Sequence, residues 1–281
     1  MATYLVARIR FYGVGCYEAV PEMSVYTRAE ILAKVEAEED LRGVDLAWAN
    51  LAGASLEWAN FVGATLVGAD LSGANLTGAK FVGVDLSGAN LSGATLTWAA
   101  LRQANLTGAD LSGVDLSGAG LSDVDLSGAN LTGGDFTSAS LTDANLTKAD
   151  LTDANLTKVN FSGANLTDVN LSGANLADAN LEWVNFEGAK FSGAKLSDDI
   201  TIKSLVDIVA RNDGYEFFGW RTTDDKLVIV AGCRGPWTVE KYRGHVAKNY
   251  PDTRKAVETL TILDRIGACF NAKPFDKGEC R

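Results

Sequence analysis

A single histidine, His245, and four cysteines, Cys16, Cys233, Cys269 and Cys280, are the imidazole and thiols from which this 281-residue chain could build nucleophilic chemistry. A thiol becomes a nucleophile when an imidazole takes its proton and a third group orients that imidazole. Cys233 and His245 are near each other in sequence, but no orienting group can be named beside them, so packing or surface roles are expected. The cysteines have no Cys-x-x-Cys spacing, which argues against a zinc ribbon or a dense disulfide framework and for a reduced, cytosolic setting. Phosphate-binding loops, His-Glu-x-x-His and Gly-x-Ser-x-Gly do not occur, and Gly133-Gly134-Asp135 lacks the rest of a calcium-binding repeat. The chain is expected to be non-enzymatic, with no metal and no cofactor.

Recognition has more material. The step from Trp58 to Trp98 is the same as that from Asp70 to Asp110 and from Asp110 to Asp150, forty positions each time. Trp48 and Trp183 share the local position of Trp58 and Trp98, the second after a central leucine. Exposed tryptophan is enriched among the residues that dominate binding energy. These seven residues are the candidate partner-binding set, and their regular spacing requires elements that repeat it.

Such elements are legible. From Leu41 to Leu196 every fifth residue is Leu or Phe, 26 of the first and six of the second, without exception. Two residues before these, from Val44 to Ala194, stand 23 Ala, seven Val and one Gly, so those sites reject bulk. The residue before each centre is mostly Asn or Asp, the one after mostly Ser or Thr, and the next often Gly. Five matches neither the helical nor the strand period, and a helix would smear the leucines around its surface. A solenoid fits better: each five-residue unit forms one side of a coil, its large and small residues point into a narrow lumen, and stacked coils bury what one cannot. Ala stands where a second large side chain would overfill the axis. Gly tolerates positive φ at turns, and Asn, Asp, Ser and Thr satisfy turn backbone. Proline is absent from 41–196, as expected where N–H groups pair between coils.

Units such as Ala69-Asp70-Leu71-Ser72-Gly73 and Ala74-Asn75-Leu76-Thr77-Gly78 follow the pattern A-(D/N)-L-x-x, and the whole stretch 41–196 resembles the pentapeptide-repeat family. The resemblance implies a mainly β fold, a right-handed quadrilateral β-helix with four pentapeptides per coil and hence eight coils. The forty-position recurrences agree independently, because eight units make two four-sided coils and not a whole number of three-sided ones. At about 4.8 Å per coil the rod would be roughly 38 Å long. Asp alternates with Asn along a face, which keeps like charges about 9.6 Å apart.

The flanks differ. Residues 1–40 read as a strand, with Leu5, Ala7, Ile9 and Phe11 alternating, and then a helix that starts at the capping box Thr27-Arg28-Ala29-Glu30, runs to roughly Glu38 and covers the open end of the first coil. Residues 197–281 are expected to form a small α+β C-terminal domain. Its hairpin runs over 215–221 and 226–232; one helix starts near Trp237-Thr238 and runs towards Tyr250, and a second, capped by Asp252, follows Pro251 with Ala256, Leu260, Leu263 and Gly267 on one face. Gly232-Cys233-Arg234 followed by Trp237-Thr238 resembles, loosely, a module of actinobacterial and phage proteins.

The net charge of -11 argues against direct nucleic-acid binding, and no apolar run is long enough to span a membrane. The acidity belongs to the repeat, which holds 16 acidic and seven basic residues. Two function classes follow. In the first, the rod is a rigid protein-binding or architectural module, with its partner met by the tryptophans or the C-terminal domain, through which the chain could also form a homodimer. The second is implied by the resemblance: some family members mimic B-form DNA and occupy type II topoisomerases such as DNA gyrase, protecting them from quinolones. Duplex DNA carries one charge per about 1.7 Å, so a rod of about 38 Å would need about 22 charges, which makes this one a diluted mimic at most.

Overall fold

A computed structural model of the chain describes residues 26–37, 39, 41–197, 200–210, 216–222, 226–231, 234–249 and 254–271. The strand expected near the N-terminus, Cys16, Cys233, Cys280, Pro251, Asp252 and the Cys269 side chain lie outside them.

The repeat winds as expected. Parallel bridges join each residue before a centre to its counterpart four units on, from Asp45↔Thr65 to Asn175↔Lys195, so a coil has four five-residue sides. One pentapeptide shows why this sequence adopts this path, because its five N–H groups can all be accounted for. Ala69 N–H donates to Leu66 O (3.0 Å) and closes a turn; Asp70 N–H donates to Ala49 O of the preceding coil (2.9 Å); Leu71 and Gly73 N–H donate to Asn90 O (2.7 Å) and Ser92 O (2.8 Å) of the next. Ser72 N–H, the remaining donor, goes to Asp70 Oδ1 (3.1 Å). A proline would forfeit one of these bonds at almost any position.

The lumen is filled by the large and small columns, most of whose members are fully buried. Phe61 and Phe81 stack on successive coils with ring centroids 5.0 Å apart and planes 9° off parallel. Gly134, the one glycine in the small column, sits beside Phe136: an added Cβ would lie 2.9 Å from the ring.

Helix α1, Arg28–Glu36, begins at the expected capping box: Glu30 N–H donates to Thr27 Oγ1 (3.3 Å) and Thr27 N–H to a Glu30 carboxylate oxygen (2.7 Å). It ends at Glu36, short of the expected Glu38. Ile31 is buried in the same apolar core as Leu41, with Tyr26, Leu32 and Val35 packed against it.

At the other end the expected hairpin is part of a five-stranded antiparallel meander, β1 Lys195–Ser197, β2 Ile200–Ala210, β3 Glu216–Thr222, β4 Leu227–Ala231 and β5 Arg234–Thr238. Strand β1 belongs to both parts, since Lys195 bridges Asn175 in parallel and Thr201 in antiparallel. The sheet therefore grows out of one side of the last coil, and the expected boundary at 196/197 falls inside β1. Trp237 pairs with Ile229 in β5 rather than opening a helix. The first helix, α2, runs over Val239–Asn249, and Thr238 Oγ1 accepts the Lys241 N–H (3.2 Å) at its start. The second, α3, runs over Arg254–Asn271, and Arg243 of α2 pairs with Asp264 of α3.

The two faces of the sheet serve different cores. Trp220 and its register partner Val228 join the core of the rod, where Trp220 meets Phe191 edge to face at 4.5 Å and Phe186 at 6.0 Å. Phe217 and Ile229 point the other way, into a second core with Tyr242, Val246, Ile262, Leu263 and Ile266 of the helices.

Candidate functional site

The third residue of every β-turn along the rod has positive φ, 31 positions from 43 to 193, of which 18 are Gly and 13 are not. With the preceding residue outside that region and the turn closed by bonds such as Ala49 N–H to Leu46 O (3.0 Å), these are type II turns, whose third position favours Gly. Trp48 (φ 59°), Trp58 (61°), Trp98 (60°) and Trp183 (62°) occupy it. A bulky side chain in the left-handed region costs about 1–2 kcal/mol, so something outside backbone preference keeps tryptophan there.

The rings show how they are held. At Gly118, one coil after Trp98, an added Cβ would lie 3.0 Å from Cε3, 3.0 Å from Cζ3 and 3.2 Å from Cδ2 of the Trp98 indole. A point in the ring plane beyond its edge cannot be nearly equidistant from three successive ring atoms, so the ring lies face-on over the glycine. Trp58 covers Gly78 through the same three atoms, and Trp48 covers Gly68. One π-face rests on the next coil and the other is turned outward. Trp58 and Trp98 are each 69 % exposed, Trp183 52 % and Trp48 46 %. The expectation that these side chains point outward thus holds. The sequence carries a further signal of the seating, since Gly stands four units after three of the four tryptophans, at Gly68, Gly78 and Gly118. The four do not form one cluster. Trp58 and Trp98 share a corner with a single coil between them, while Trp48 and Trp183 stand on two other corners.

The aspartates also serve the fold. Asp70 Oδ1 accepts Ser72 N–H (3.1 Å), the Ser72 hydroxyl (2.7 Å) and Asn90 Nδ2 of the next coil (3.2 Å). Asp110 Oδ1 accepts Ser112 N–H (3.0 Å) and Asn130 Nδ2 (3.0 Å), and Asp150 Oδ1 accepts the N–H (2.9 Å) and hydroxyl of Thr152. All three are half-buried. The Asp/Asn alternation is therefore more than charge spacing: each carboxylate closes its own turn, and Asn90 and Asn130 donate to the aspartate of the coil before. Asp115 is displaced from the ordinary carboxylate value. Burial raises it, but hydrogen bonds from the Ser117 hydroxyl, Ser117 N–H and Thr97 hydroxyl outweigh that and hold it below the usual carboxylate range.

His245 is half-buried beside Tyr242, ring centroids 6.1 Å apart. Among the described residues no group of three or more His, Cys, Asp or Glu side chains could hold a metal ion, and no helix is long and apolar enough to cross a membrane.

Comparison with known proteins bears on the fold. The family model described as pentapeptide repeats matches in overlapping copies that together run from residue 40 to 198. Among solved structures, a trypsin-treated form of QnrB1, a plasmid-mediated fluoroquinolone resistance protein, is 23 % identical with a TM-score of 0.52, covering 57 % of this chain and 84 % of its own. HetL, a pentapeptide-repeat protein involved in heterocyst differentiation regulation from the cyanobacterium Nostoc sp. strain PCC 7120, is 32 % identical with a TM-score of 0.34, covering 62 % of this chain and 94 % of its own. No curated protein matches. The unbroken five-residue column, the four-unit register of the bridges and the family match over more than half of the chain together establish that this protein belongs to the pentapeptide-repeat family, whose members fold as right-handed quadrilateral β-helices.

Proposed function

We propose that this protein is a non-enzymatic recognition module: a rigid acidic rod, residues 41–196, that presents tryptophan platforms to a protein partner, with 1–40 and 197–281 as flanking units that close its ends. The observation that carries the reading is the set of four outward tryptophans at left-handed corners, three of them seated on a glycine of the next coil. Nine other non-glycine residues, Gln103, Lys148 and Lys158 among them, share these corners, so what sets the tryptophans apart is the combination of large exposed rings and, for three of them, a glycine seat. The segment 197–281 offers a second docking or dimerising element, and its loose resemblance to phage-associated modules fits an architectural role.

The test replaces all four tryptophans by glycine, the common occupant of these corners, and compares partner capture from cell extract with that of the wild-type chain. Loss of a specific partner supports the reading, and an unchanged partner set contradicts it.

A second reading, a partial B-DNA mimic that binds DNA gyrase, draws on the acidity of the rod and on the fold shared with QnrB1. It ranks below the first because Asp70, Asp110 and Asp150 already serve the turns and ladders. Inhibition of gyrase supercoiling or protection from quinolones at micromolar protein would reverse that order.

A further inference from the structure

We propose that the corner bearing Trp58 and Trp98 binds a proline-rich segment of another polypeptide in the polyproline II conformation; this rests on reading the tryptophan corners as the recognition surface. The spacing of the platforms matches such a ligand. The bridges Asn60↔Lys80 and Lys80↔Ala100 put Trp58 and Trp98 two coils apart on one corner, a distance of about 9.6 Å by inter-strand spacing. A polyproline II helix advances about 9.3 Å per three-residue turn. Two fixed platforms then meet the same side of such a ligand one turn apart, and the neighbouring corner, Gly53, Gly73, Gly93 and Gly113, carries no side chain to obstruct it.

The chemistry of the platforms matches it as well. With its inner face on Gly78 or Gly118, each ring offers its outer face to a pyrrolidine ring, the mode in which aromatic-lined grooves take proline-rich peptides. Among the described residues neither indole N–H donates a hydrogen bond. Polyproline II makes no internal hydrogen bonds, so its carbonyls remain acceptors for those donors.

A glycan stacks on tryptophan equally well, and the second arm of the test below separates the two. On the adjoining side the position before the centre runs Asn60, Lys80, Ala100 and Gly120, and the position after it Val62, Val82, Arg102 and Ser122, with Lys80 and Val82 exposed. On the other side the polar groups are engaged with one another: Asn75 Nδ2 donates to Glu57 Oε1 (2.6 Å), and Thr97 Oγ1 donates to Asp115 Oδ2 (3.2 Å). Val62, Val82, Ala100 and Gly120 give the adjoining side an apolar strip that suits proline, with Lys80 as a cation at its margin. The acidity of the repeat favours basic residues flanking the prolines and opposes nucleic acid. The four prolines of this chain, Pro21, Pro236, Pro251 and Pro274, are isolated, so the ligand comes from another polypeptide.

The full-length chain, labelled with nitrogen-15, is titrated with a lysine-flanked oligoproline peptide while the indole N–H signals are followed; Trp→Gly variants assign them. The expected result is a saturable shift of the Trp58 and Trp98 signals with Trp48 and Trp183 unmoved. Trp58→Gly and Trp98→Gly should each weaken binding about tenfold or more, and a peptide with its prolines replaced by glycine should bind at least as poorly. Glycine is native to these corners, so an unchanged melting temperature separates lost contact from lost fold. No shift at millimolar peptide, or equal shifts of all four indoles, overturns the inference. A second arm uses a β-linked oligosaccharide: if it alone shifts Trp58 and Trp98, the proline-rich assignment falls while the tryptophan corner stands as a recognition surface. Silence in both arms with partner capture unaffected by the four-tryptophan variant brings down both readings.

Discussion

In the rod each large residue meets its own kind one coil away, as Phe61 meets Phe81, whereas in the terminal sheet Trp220 and Phe217, neighbours on one strand, enter different cores. The first arrangement is translational: every coil sees only the coils above and below, and the same few side-chain roles recur. The second is two-sided, and one strand must satisfy the last coil with one face and two helices with the other. A repeat therefore concentrates its stability in the columns and leaves its exposed corners to side chains that can serve recognition. The sheet concentrates its own in the few residues that join it to the rod.

The joint between rod and sheet carries the largest expected effect. Trp220→Ala removes the aromatic plug against Phe191 and Phe186 and is expected to cost about 3–5 kcal/mol, read by chemical denaturation, with the sheet loosening from a rod that stays folded. A loss under about 1 kcal/mol would mean that the sheet is not seated on the last coil. In mid-rod, Leu116→Ala opens a cavity in a fully buried column and should cost about 2–5 kcal/mol. Corner glycines sharpen the contrast. Gly73→Ala meets open space and bears only the left-handed backbone cost of about 1–2 kcal/mol, while Gly78→Ala also drives a Cβ into the Trp58 ring and should cost at least about 1 kcal/mol more. Equal losses would deny that the ring covers Gly78.

The smallest effect concerns acid. Asp115 titrates lower folded than unfolded, so its hydrogen bonds stabilise the rod above the ordinary carboxylate range of about 4. That contribution is lost as pH falls below about 4 through the folded value. The difference in melting temperature between wild type and Asp115→Asn should be visible at neutral pH and vanish in acid; a difference that persists unchanged would assign it to packing.

The rod is legible in the sequence because its instruction is local and repeated. Leu, Ala, Asn or Asp, and Gly each hold one place in the five-residue unit, and the recurrence of Asp45, Asp85 and Asp125 and of Asp70, Asp110 and Asp150 every eight units agrees with a coil of four units rather than three. The sheet is only half legible. Strands β3 and β4 alternate cleanly, but β2 carries register shifts between Ile202 and Ser204 and between Leu205 and Asp207 that scramble its alternation. Strand β5 reads as the start of a helix because Thr238, which does accept the first-turn N–H of α2, stands directly after Trp237. Of the candidate site, the outward tryptophans are legible from their place in the unit. The turn role of Asp70, Asp110 and Asp150 is legible from the unit, but the bonds that Asn90 and Asn130 give across coils are not, because an Asn one coil on reads the same whether its amide faces water or the aspartate.

The central claim, that corner tryptophans lie flat on the glycine of the next coil with one face turned outward, can be measured in solution. A ring stacked face-on shifts the α-protons beneath it upfield by its ring current. The account predicts strongly upfield Hα signals for Gly78 and Gly118, nuclear Overhauser contacts from them to Hε3 and Hζ3 of Trp58 and Trp98, and return of the Gly118 signals to the ordinary range in Trp98→Gly. Ordinary Gly118 shifts in the wild type, or contacts from Trp98 to corners at any spacing other than four units, would contradict both the stacking and the four-sided coil.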